Sequence, residues 1–134
     1  MSQENLDFVR SLYVARARGE LALAEWAHPQ IEFVLADGPT RGRATGLAAM
    51  ARAWREFFSV VQDHHIRPAG YRELDDERVL VLTRRSGRRK LSRMELPKAW
   101  RKGIALYTIR GGKVVRLLVY MDRQRGLADL GLKE

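Results

Sequence analysis

The chain of 134 residues contains no cysteine. That excludes disulfides, thiol nucleophiles and cysteine-ligated zinc. No apolar run approaches the roughly 20 residues of a membrane-spanning helix. The N-terminus, MSQENLDFVR, has no basic segment followed by an apolar one, so no secretory leader is visible. With the missing cysteines this fits a reducing, cytoplasmic setting. Acids are scarce, 16 Asp and Glu against 25 Lys and Arg, which leaves a formal charge of +9. Such an excess favours anionic small molecules, acidic proteins or polyanions as partners, without naming a mechanism. What is present is ordinary for a globular protein: 46% hydrophobic and 31% charged residues. The length suits one domain, 1–134, with a real core.

The pattern runs from helices to strands. Leu6, Val9, Tyr13 and Ala17 recur at helical spacing, and Gly19 ends that helix. A short helix from Leu21 to Ala27 stops at His28-Pro29. Ile31 to Leu35 reads as a strand entering a Gly/Pro loop. Gly46 opens a third helix with a wide apolar stripe: Leu47, Met50, Trp54, Phe57, Phe58 and Val61. Strands are then expected at Ile66 to Leu74 (weak, broken by Pro68 and Gly70), at RVLVLTRR, over a long return from Ser92 to Arg110, and at KVVRLLVYM. Gly111-Gly112 signals a tight hairpin turn. Asp122 precedes a last short helix, RQRGLADLGL. Helices followed by a strand meander indicate an α+β layout. The last two strands are apolar on both faces, where a sheet with one wet face would alternate. Three helices hardly cover both, so the outer face is a candidate homodimer interface.

In order and spacing, LYVARARGELA, HPQIEFV, GLAAMARAWREFF and IALYTIRGGKVVRLLVYMDRQRGLADLGL resemble the nuclear transport factor 2-like superfamily, above all its SnoaL-like branch. The resemblance spans nearly the whole chain. It implies a cone: a strongly curved, mostly antiparallel sheet wrapped around three N-terminal helices, with an internal pocket and dimers through the outer sheet face. It also implies small-molecule chemistry without a cofactor, as in polyketide cyclases and ketosteroid isomerases, although many members have no known activity.

Acid–base chemistry in such a pocket needs a carboxylate or imidazole tuned by burial. Asp37, near the end of the first strand, matches the region where isomerases carry their proton-abstracting Asp; it also suits an Asx-turn into Gly38-Pro39. Asp122 resembles the acid/base Asp of SnoaL-like cyclases; it equally suits an N-cap. Of the adjacent His64 and His65 one should point inward, and His65 is carried as the third catalytic candidate. Tyr13, Trp26, Phe33, Trp54, Phe58, Ala105, Tyr107, Leu117 and Met121 are expected to line the pocket. Ala105 stands where the isomerase resemblance requires a protonated acid, so steroid isomerisation is not expected. Two adjacent histidines lack metal-ligand spacing, and no metal or cofactor is expected.

Nine bases and one acid fall between Arg84 and Lys102. The run carries no phosphate-binding glycine motif and no zinc finger, and its one aromatic, Trp100, is thin support for base stacking. It reads as a solvated hairpin able to attract acidic ligands. Three functions stand side by side: an acid/base enzyme acting on an apolar oxygenated ligand; a non-catalytic ligand-binding or dimerising module; and a nucleic-acid binder, which no motif supports.

Overall fold

The computed structural model describes residues 3–18 and 22–133. Gly19 and Leu21, taken above as a helix stop and a helix start, lie outside them. The order is α1 (Gln3–Ala17), the single turn α2 (Leu23–Trp26), β1 (Ala27–Leu35), β2 (Gly42–Thr45), α3 (Leu47–Val60), β3 (Val61–Glu73), β4 (Arg78–Arg89), a 3-10 turn (Lys98–Trp100), β5 (Lys102–Arg110), β6 (Lys113–Tyr120) and α4 (Arg123–Leu130). The class is α+β. The six strands form one mixed sheet, β2-β1-β6-β5-β4-β3. Every neighbouring pair is antiparallel except β1 and β6, which run parallel.

Two expectations from the resemblance are corrected. The sheet stays open, with β2 and β3 at free edges, and is not a strongly curled wrap. The helices do not all precede it, because α4 follows the last strand. Element bounds shift as well. Pro29 lies inside β1, where the sequence placed a helix stop. The loop after Leu35 contains β2, an edge strand too polar to show alternation. Ser86-Gly87, read as a hairpin loop, sits within β4. The expected long return strand is interrupted: only Lys102–Arg110 is a regular strand, and a 3-10 turn precedes it.

The sheet has two packed faces. Val9, Leu12 and Tyr13 of α1, and Met50 and Phe57 of α3, pack on the inner face against Phe33, Val79, Val81, Tyr107, Leu117 and Val119. The outer face carries Val34, Leu80, Ile104, Leu106, Leu118 and Tyr120, with Leu127 of α4, and Leu130 and Leu132 packed against them. These apolar outer residues are buried within one chain. They no longer argue by themselves for a subunit interface.

Candidate functional site

The inner face and its two long helices leave a cavity of about 70 Å³. Its apolar wall comes from β1 (Phe33, Leu35), α3 (Ala53, Trp54, Phe57, Phe58), β5 (Ala105) and β6 (Leu117, Val119). Five polar side chains join them: Tyr13 and Arg16 of α1, His64 of β3, Arg85 of β4 and Tyr107 of β5. Among the described residues, no carboxylate lines the cavity. A smaller space of about 30 Å³ adjoins it, sharing Tyr13, Arg16, Trp54, Tyr107 and Leu117 and adding Trp26.

Strand alternation aims Arg85 inward. Val79 and Val81 face the inner core, Thr83 follows them into the interior, and the same period brings Arg85 to that side. Its Nε is buried without a hydrogen-bond partner. Its Nη1 lies 3.4 Å from His64 Nε2. A guanidinium only donates, so Nε2 accepts and the imidazole proton sits on Nδ1. Burial above all lowers the Arg85 pKa to about 10, which leaves it charged at neutral pH. Burial first, then the charges of Arg85 and Arg16, hold His64 down at about 3, so it is neutral. Tyr107 Oη donates to Tyr13 Oη at 2.9 Å. Burial raises both phenols above their ordinary range and keeps them protonated. One O–H of the pair is used in that bond, so the other is left for another acceptor. Trp26 Nε1, on the adjoining wall, is likewise buried without an acceptor. The site therefore offers two guanidiniums and several donors, with His64 Nε2 engaged by Arg85.

The three catalytic candidates sit elsewhere. Asp37 is buried, at 4% exposure, but its Oδ1 accepts from the backbone N–H of Met121 at 2.6 Å and its Oδ2 from that of Asp122 at 3.0 Å. It ties the end of β1 to the end of β6. Asp122 is the N-cap of α4, accepting from Arg125 N at 3.3 Å. Neither lines the cavity. His65 is exposed and faces the opposite side, while its neighbour His64 points inward. The cause is a register shift between Gln62 and His65, where Asp63 takes φ 53° and resets the alternation. Of the expected lining residues, Tyr13, Phe33, Trp54, Phe58, Ala105, Tyr107 and Leu117 are on the main cavity wall. Trp26 lines only the adjoining space, and Met121 packs in the core against Gly38. Sequence reasoning missed Arg16 and Arg85.

Solved structures share this architecture. A nuclear transport factor 2-like protein of unknown function from Burkholderia pseudomallei superposes with a TM-score of 0.74 at 22% identity, covering 96% of this chain and 97% of that one. A proposed polyketide cyclase from Sinorhizobium meliloti gives 0.63 at 23% identity, covering 84% and 93%. TerC, crystallised with polyporic acid, gives 0.69 at 21% identity, covering 94% and 96%. At these identities the likeness establishes the fold alone. Among curated proteins none matches the chain. The family model for the SnoaL-like domain matches residues 9–117. The chain belongs to the SnoaL-like domain family and has the nuclear transport factor 2-like fold.

Proposed function

We propose that this is a small-molecule pocket protein whose cavity takes an oxygenated anion on an apolar body: a carboxylate, a phenolate or an enolate. One observation carries the reading. Arg85 buries an unpartnered Nε on the wall of a cavity that, among the described residues, holds no carboxylate. A buried cation without a counter-ion is costly, and an anionic oxygen removes that cost while satisfying the free donor. The hydrogen-bonded pair of Tyr13 and Tyr107 supplies a second donor, the O–H not used between them. The apolar residues around them suit a hydrocarbon body. At about 70 Å³ the cavity accepts a compact head group, with the remainder passing out beside Phe58, which is 40% exposed.

The same donors would hold charge that develops on a carbonyl oxygen, as cyclisation or isomerisation through an enolate requires. They are better suited to holding that charge than to removing a proton. A histidine with a pKa of about 3 is a weak base at neutral pH. Asp37 and Asp122 are occupied by backbone amides. The reading is therefore oxyanion binding and carbonyl polarisation without a cofactor, not a carboxylate proton relay. That TerC was crystallised with a compound named as an acid is in keeping with it.

The test compares benzoate with benzyl alcohol by calorimetry, in wild type and Arg85→Met. Benzoate affinity should fall about 10- to 100-fold in the variant, the worth of a charge-assisted hydrogen bond at roughly 1.5–3 kcal/mol. Benzyl alcohol binding should hardly change. Equal benzoate affinity in the two proteins would sink the reading.

A further inference from the structure

The basic run builds a second concavity, separate from the apolar one. It is a solvent-open groove of about 630 Å³, lined by the exposed His65, Arg67, Arg84, Lys98, Arg101 and Lys102 among others. Strand pairing sets three of these cations in a row. Arg67 of β3 stands opposite Arg84 of β4, and Arg84 stands opposite Lys102 of β5. Directly paired residues project to the same face of a sheet, so the three charges are neighbours. Like charges at such positions repel and destabilise the pairing. Among the described residues, Arg101 has an ion-pair partner, Glu95 at 3.0 Å, whereas Arg67, Arg84, Lys98 and Lys102 have none. Uncompensated like charges on a concave wall focus a positive potential into it.

We infer that this cavity is a binding site for a small phosphate-bearing polyanion of the diphosphate or triphosphate class. Several clustered cations suit a multiply charged ligand better than a single carboxylate. The volume lies within the range of small-molecule sites and far exceeds what one phosphate fills. Nucleic acid fits less well. Strand binders add aromatic platforms to their bases, and among the described residues His65 is the only ring on this wall, with no Phe, Tyr or Trp. Trp100, the run's one aromatic, instead lies under the Arg89 guanidinium, 5.6 Å from its ring centre. Ile66 and Arg85 border both cavities, so a phosphate held here lies beside the apolar pocket. The inference stands apart from the oxyanion reading, because its key residue, Arg84, is not on the apolar wall.

The probe is inorganic pyrophosphate, titrated by calorimetry and thermal unfolding against chloride at matched ionic strength. Wild type should show saturable binding and a rise in Tm that chloride does not reproduce. Arg84→Gln removes the middle charge of the row. It should weaken pyrophosphate binding about tenfold or more and raise the ligand-free Tm by relieving repulsion. Lys102→Gln should act in the same direction, and both variants should keep wild-type benzoate affinity. Pyrophosphate binding no better than chloride, or unchanged in Arg84→Gln, would overturn the inference. So would Arg84-dependent binding of a single-stranded oligonucleotide by a protein that ignores pyrophosphate, which would return the surface to nucleic acid.

Discussion

Asp37 and Arg85 are both charged residues drawn into the inner half of the fold, with opposite outcomes. Asp37 has each carboxylate oxygen bonded to a backbone N–H, so its charge is satisfied where it stands. Arg85 keeps a buried donor free. A satisfied buried charge holds structure together, while an unsatisfied one is the feature on which the proposed anion site rests. His64 turns this electrostatic setting into a measurable acid response. Its pKa is depressed first by burial, then by Arg85 on β4, Arg16 on α1 and neighbouring His65. Between the unfolded value of 6.5 and the folded value of about 3, the unfolded chain binds the extra proton. The stability contributed by neutral His64 is therefore present above pH 6.5 and is lost as pH falls toward 3, by at most about 1.4 kcal/mol per pH unit. His64→Gln should flatten the Tm–pH curve in that window; an unchanged slope would count against a buried neutral imidazole. At this scale the sequence was half legible. The aromatic wall could be read from helix and strand periods. The inward arginine could have been read from the Val79, Val81, Thr83 alternation, but the density of bases around it made the whole segment look solvated. The choice between His64 and His65 was not legible, because one bulge residue decides it.

At the scale of elements, legibility followed periodicity. The amphipathic α3 and the Gly111-Gly112 hairpin, whose glycines take φ 57° and 75°, stood out in the sequence. The polar edge strand β2 and the irregular 90–101 segment did not, since neither has a period to detect. The last helix was readable from its caps. Asp122 accepts at its N-terminus, and Gly131 ends it at φ 69°, with Leu132 N–H donating to Leu127 O at 2.8 Å. What the caps conceal is how closely α4 lies on the sheet. A Cβ at Gly126 would sit 2.6 Å from Ile104 Cδ1 and 2.7 Å from Tyr120 Cγ. Alanine is favoured over glycine inside a helix by about 1 kcal/mol. Overpacking against a strand costs roughly 1–3 kcal/mol. The clash should win, so Gly126→Ala should lower Tm, where helix propensity alone predicts a rise. A more stable Gly126→Ala would mean that α4 has room to move off the sheet.

Across the whole molecule, the sequence indicated the class and the family but not how the sheet is covered. Counting three helices left the outer face bare and suggested a second subunit, whereas α4 and the tail behind it occupy that face. A short helix of mean composition gives little sign of where it will dock, so what the sequence left open was arrangement and not element type. The strand order also joins distant parts of the chain: β1, near the start, pairs in parallel with β6, near the end, Phe33 opposite Leu117 and Leu35 opposite Val119.

That parallel pairing imposes an order of assembly. The β3, β4 and β5 meander can zip from local turns, but β1 has no inner neighbour until β6 exists. The Asp37 link spans 84 residues to Met121, so closing it carries the loop entropy of most of the chain. In pulse-labelled hydrogen exchange during refolding, amides of Val79 to Leu82 should gain protection before those of Phe33 to Leu35; the reverse order would refute a late β1. On the ribosome the same wiring leaves Ile31 to Leu35 as an apolar strand waiting, unpaired on its inner edge, while the rest of the protein is made. That interval, rather than the finished fold, is when the chain is most open to aggregation and to capture by a chaperone.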